Sequence, residues 1–177
     1  MNLFGALARR KARRAAAQSA YVRIVARARE PLFYDGWGVP DTLDGRFELL
    51  SLHAFLVLNR LKRERAETRA FAQSLFNIMF ADLDRGVREM GATDVGVGRH
   101  VKAMARGFYG RIAAYEKGLG DEAELAAALR RNLFGTVVPE DGQIDRAARY
   151  VRRQIAALAT APSDRLLAGD APFAAVE

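Results

Sequence analysis

The sequence predicts an all-α, single-domain protein, an irregular bundle of about six to seven helices. Apolar residues recur at spacings of three and four along most of the chain, the period of a helix with one core-facing side. Gly, Pro and acidic residues interrupt those stripes where helices should stop and start. Strand character is confined to Gly135 to Val138, too short and isolated to build a sheet. With 177 residues, 50% of them hydrophobic, the chain has material for one core burying about 70% of its unfolded surface.

Taken in order, residues 1–18 form a basic arm, 19–160 a helical domain and 161–177 a tail. The arm opens with Leu3, Phe4 and Leu7 on one side of a first helical turn, followed by Arg9, Arg10, Lys11, Arg13 and Arg14. Lys11 and Arg14 fall near the apolar side at 100° per residue, which argues against deep insertion as an interfacial helix. Tyr21, Val22, Ile24, Val25 and Ala28 continue the helical pattern until Pro31 disfavours it at Glu30. An irregular segment follows, placing Phe33, Tyr34 and the single tryptophan, Trp37, among Gly36, Gly38 and Pro40. Thr42 or Asp44 can cap the next helix, and Asp41, Asp44 and Glu48 complement the positive end of its dipole. That helix, from Arg46 to about Arg63, is apolar on nearly every side and is expected at the centre of the fold, yet is far short of the ~20 apolar residues a bilayer span needs.

Phe71, Leu75, Ile78, Met79, Leu83, Val87 and Met90 mark a third helix over residues 68–90, ended by Gly91. After a link at residues 92–98, Val101, Met104, Phe108, Ile112 and Tyr115 mark a fourth, stopped by Gly118 and Gly120. Asp121 with Glu124 reads as a capping box for Leu125 to Leu133, and Ile144, Ala148, Val151, Ile155 and Leu158 define another helix ending before Pro162. Gly86 inside the third helix costs about 1 kcal/mol relative to alanine, and close approach of a neighbouring helix is the expected reason.

The net charge of +7 is localised. Residues 1–29 carry eight basic side chains and no acidic one, whereas residues 30–177 carry 20 basic against 21 acidic. One basic arm on a neutral body suggests a tether to phospholipid head groups or ribosomal RNA rather than general nucleic-acid binding. Charge follows the apolar residues, the reverse of a secretory signal, so export is not expected; composition alone leaves a mitochondrial presequence open. Without cysteine there is no disulfide, thiolate zinc site or cysteine nucleophile, and a cytoplasmic setting is the expectation.

No catalytic constellation emerges, and no cofactor or metal is expected. His53 lies between Leu52 and Ala54 in the apolar helix, with no carboxylate three or four residues away, and reads as a hydrogen-bonded core histidine. His100 sits between Arg99 and Lys102's positive charges. Asp82, Asp84 and Glu89 do not converge, and ion pairs to Arg85 and Arg88 suit them better than a metal or acid/base role. Gly91, Gly96 and Gly98 lack a preceding strand and a Gly-Lys-Ser/Thr element, so they read as turn residues rather than a phosphate loop. Arg99, Lys102 and Arg106 share a helix face that suits an anion or simply solvent.

Two blocks, GVPDTLDGRFE running into its Leu/Phe-rich helix and VREMGATDVGVGRHVKAMARGFYGRIAAY at residues 87–115, resemble the ubiquinol-cytochrome c chaperone family. The likeness covers about residues 21–115 and extends more loosely to 158. One departure is His100, where the family is expected to have lysine. The resemblance implies a non-enzymatic assembly chaperone that binds newly made cytochrome b and assists assembly of the cytochrome bc1 complex, in some members working at the ribosome. Its partners would be cytochrome b or the nascent chain, the ribosome or an anionic membrane surface, with room for a second chaperone subunit and no role for DNA. The implied location is peripheral to the inner face of the cytoplasmic membrane, or the matrix in a mitochondrion. Phe33, Tyr34, Trp37, Val39, Pro40 and Asp41 are then the candidate client contacts, with burial of Trp37 as a plug the competing expectation. Arg9, Arg10, Lys11, Arg13 and Arg14 are the candidate anionic-surface contacts, and Arg99, Lys102 and Arg106 a weaker anion site. A helical nucleic-acid or ribosome-binding module without a client uses the arm but leaves the neutral body unexplained.

Overall fold

The computed structural model describes residues 3–89, 91 and 94–176. Among these are seven α-helices and no strand: α1 (Leu3–Ala28), α2 (Leu43–Leu61), α3 (Arg65–Glu89), α4 (Asp94–Gly118), α5 (Glu122–Leu133), α6 (Gln143–Thr160) and the short α7 (Ser163–Leu167). Met1, Asn2, Met90 and residues 92–93 of the predicted link lie outside the described residues, as does the Leu3 side chain.

α2 is the axis. Its apolar side chains on all faces leave no solvent side, and α1, α3, α4, α5 and α6 surround it. The Thr42 hydroxyl accepts from the Gly45 amide at 3.2 Å, so Thr42 rather than Asp44 supplies the cap. Any Cβ at Gly45 would collide with the Pro40 carbonyl, and Gly38 sits at φ +70, so both glycines of the GVPDTLDGRFE string are needed by the backbone. Arg60, buried near the far end of α2, donates to the Leu158 carbonyl at 3.1 Å and the Ala161 carbonyl at 2.9 Å. A guanidinium thereby satisfies the negative end of α6.

The capping box at α5 forms on its Asp side, with Asp121 Oδ1 accepting from Ala123 and Glu124 amides at 2.8 and 3.2 Å. Gly118 closes α4 where a Cβ would meet the Leu125 backbone at 2.7 Å, so the α4–α5 hairpin depends on a bare Cα. Other glycines depart from the sequence expectation. Gly91, at φ +86, is a turn residue, but Gly96 and Gly98 lie within the first turns of α4, where Val97 between them is fully buried and anchors the helix. Gly86 has nothing within 4 Å of a notional Cβ, so no neighbouring helix requires it.

The boundary at residue 18 falls inside one continuous helix. Ala17, Ala20, Tyr21, Ile24 and Ala28 bury one side of the second half of α1, while most described side chains before Ala16 are exposed. Residues 161–176 are likewise packed: Leu166 and Ala171 are buried, and the Gln154 carboxamide brackets the tail by donating to the Ala174 carbonyl (2.9 Å) and accepting from its amide (2.8 Å).

Candidate functional site

The aromatic segment folds as a turn of π-helix, Leu32–Gly36, stitched by Val39 N–H to Phe33 O and Gly38 N–H to Tyr34 O, both 3.1 Å. Phe33 and Trp37 meet edge to face at 4.9 Å between centroids, and each packs edge-on against Tyr150 of α6 at 5.3 Å. His53 completes the cluster. Its Nδ1 lies 2.7 Å from the Leu49 carbonyl and its Nε2 2.8 Å from the Tyr150 hydroxyl. Desolvation pushes its pKa down from 6.5 to about 4, so the ring is neutral near pH 7. The satisfied core histidine expected from the sequence is what the fold contains.

Phe33, Trp37 and Val39 are 0, 1 and 2% exposed, which leaves them no surface for a partner in this state. Phe33 also packs on His53 at the middle of α2, so the segment wedges between α2 and α6 with Trp37 buried, as the plug expectation has it. Tyr34 is half-buried and donates to the Ala28 carbonyl at 2.9 Å, while Pro40 is partly exposed and Asp41, held below the usual carboxylate range by its hydrogen bonds to Arg46, is exposed. Leu32 and Leu43 in the same segment are 39 and 58% exposed. The rim of the turn therefore faces solvent while its centre does not.

The arm residues also divide. Arg10, Arg13 and Arg14 line a cleft of about 640 Å³ between α1 and α3, whereas Arg9 and Lys11 are exposed outside it, and Phe4 and Leu7 stand 84 and 64% exposed nearby on α1. Arg99, Lys102 and Arg106 are exposed along α4 with His100, and form no ion pair among the described residues. Asp82 pairs with Arg85 and Asp84 with Arg88, as expected, but Asp82 also accepts from the Tyr21 hydroxyl at 2.7 Å.

Two groupings were not foreseen. Glu48 on α2, buried, takes a two-pronged hydrogen bond from Arg111 of α4, with Nε to Oε2 at 2.6 Å, beside a cleft of about 320 Å³ that Arg131 and Asn132 also line. Burial pushes the Glu48 carboxyl up and the Arg111 guanidinium pulls it back. The other is an aromatic ledge where Phe76 stacks on Tyr109 at 5.6 Å with Tyr109 58% exposed. Tyr109 lies off the apolar stripe of α4, the only sequence signal it offered. No described helix is long and apolar enough to cross a membrane.

Residues 35–173 match the family model described as ubiquinol-cytochrome C chaperone. A relative in Xenopus laevis, the ubiquinol-cytochrome-c reductase complex assembly factor 1, is 29% identical over 136 residues, 76% of this chain and 68% of that protein. The mouse protein of that name is 29% identical over 130 residues, 73% of this chain but 44% of its own length, so the chain spans under half of it. The crystal structure of the Cbp3 homolog from Brucella abortus superposes with a TM-score of 0.86 at 38% identity, covering 99% of this chain and 98% of that one.

Proposed function

The chain belongs to the ubiquinol-cytochrome C chaperone family, and on that premise we propose that it is a non-enzymatic assembly factor of the cytochrome bc1 complex that holds newly made cytochrome b. The observation that carries this reading is the end-to-end likeness to a Cbp3 homologue, at 38% identity over 99% of this chain. The relatives named as complex assembly factors support it over most of the chain.

In this reading α1 is the tether and the turn the client-facing edge. The outer half of α1 presents Arg9, Lys11, Phe4 and Leu7 to solvent, a basic and apolar combination suited to an anionic membrane surface at the inner face of the membrane. The rim residues Leu32, Tyr34, Pro40, Asp41 and Leu43 offer a semi-apolar edge to an emerging segment of cytochrome b, and the buried Phe33–Trp37–Tyr150 cluster fixes its shape.

Deleting the gene in its native host tests the function. Cytochrome b and assembled bc1 complex are expected to fall while their transcripts hold steady, because a chaperone acts on the polypeptide. Normal bc1 levels in a clean deletion lacking a second homologue defeat the reading. On a Leu43→Ser, Tyr34→Ala double variant that still folds, capture of cytochrome b is expected to drop; undiminished capture moves the client surface elsewhere.

A further inference from the structure

The α1–α3 cleft is unusual for where its charge goes. Three arginines from one helix, Arg10, Arg13 and Arg14, line it, and none forms an ion pair among the described residues. The acidic side chain lining it, Asp82, is already engaged by the Tyr21 hydroxyl and by Arg85. Like charges lining one cleft repel, and its acidic side chain is already spent on other partners. The Nε of Arg13 is moreover buried with no hydrogen-bond partner, a donor that folding has desolvated without satisfying. Across the cleft, Gln73 donates to Asn77 Oδ1 at 2.9 Å, which leaves Asn77 its amide nitrogen to donate.

We infer that this cleft is a binding site for the phosphate of an anionic phospholipid head group, with Arg13 as its buried donor and Arg10 and Arg14 flanking it. A phosphate offers the acceptor oxygens that several guanidinium and amide donors can share, and its charge removes the repulsion among them. The lipid source follows from position. Leu7 stands three residues before Arg10 and seven before Arg14, on the same side of α1, and Leu7 and Phe4 are exposed on the N-terminal side of the cleft arginines. Their apolar surface suits the acyl boundary above a head group and gains nothing from a nucleic-acid backbone. The inference deepens the tether reading, turning a diffuse attraction into a site.

The test compares charge-matched variants of the full chain on vesicles of phosphatidylcholine alone and mixed with phosphatidylglycerol. A diffuse tether loses about fivefold for any single arm charge, whichever is removed. For a site, Arg13→Gln is expected to lower affinity for the mixed vesicles tenfold or more, with Arg10→Gln following it, while Arg9→Gln costs no more than about fivefold. Thermal melts on each variant guard against misfolding, and Arg10, being exposed, keeps the test alive if Arg13→Gln does not fold. Equal losses for Arg9→Gln, Arg10→Gln and Arg13→Gln overturn the site and leave the tether standing. No recruitment to any vesicle overturns both. Arg13-dependent binding of soluble glycerol phosphate or of RNA without recruitment to vesicles overturns the lipid assignment.

Discussion

The turn at residues 31–41 and the outer half of α1 are the two stretches of this chain with the least ordinary side chains, and the fold treats them oppositely. In the turn, three aromatic and aliphatic side chains vanish into the core and the nearby polar groups find partners inside the protein: His53 with Tyr150 and Leu49, Tyr34 with Ala28, Gly36 with Arg146. In the outer half of α1, Arg9, Arg10, Arg13 and Arg14 make no ion pair among the described residues, and Phe4 and Leu7 remain in water. Satisfied polar groups in a packed surround stabilise, whereas exposed charges satisfied by water add little to the fold. The first region is part of the core and the second stands in solvent.

The contrast breaks most readily at Trp37. Trp37→Ala is expected to lose about 3–5 kcal/mol, read by chemical denaturation, because it empties a site sealed by Phe33 and Tyr150. A loss under about 1 kcal/mol would mean the turn is loosely attached and closer in kind to the arm.

His53 sharpens it. The unfolded ring titrates near 6.5 and the folded one near 4, so between those values the unfolded chain binds the extra proton. Stability contributed by the neutral ring is complete above about 6.5 and is lost as pH falls toward 4, by about 3 kcal/mol in all. Subtracting the pH–stability curve of His53→Gln from that of the wild type isolates this slope; identical slopes would show that the ring is hydrated in the folded state.

Thr42→Ala is expected to cost about 1 kcal/mol through the single cap bond it removes at α2, measured by thermal unfolding. At the other extreme, Phe4→Ser with Leu7→Ser should leave unfolding within about 0.5 kcal/mol of wild type, since neither side chain is buried. The same pair is expected to weaken attachment to anionic vesicles. A large stability loss there would place the outer half of α1 in the core's business after all.

What the sequence made legible follows the range of the signal. Thr42, Asp121 and His53 were readable because their evidence lies within four residues of themselves, as caps and as an imidazole with no nearby carboxylate. Tyr150, the partner of His53, is 97 positions away and Arg111, the partner of Glu48, is 63, so no local pattern reveals either. The α1–α3 cleft is hidden for the same reason, since Tyr21 and Asp82 at its floor are 61 apart. Glycine misled where it was treated as punctuation alone: Gly96 and Gly98 stay helical because buried Val97 docks the turn that contains them. Gly86 has no steric reason within the described residues.

The strap over residues 161–176 has a bearing on timing. It ties to the inner half of α1, with Asp170 meeting Arg23, the Phe173 carbonyl accepting from Arg27, and Gly169 lying so close to the Ala16 carbonyl that no Cβ fits between them. Arg27 and Phe173 are 146 positions apart. During synthesis α1 leaves the ribosome first, yet the segment that fastens it emerges only after the rest of the bundle. The inner half of α1 therefore has its footing completed late, and until then α2 and α3 alone hold it.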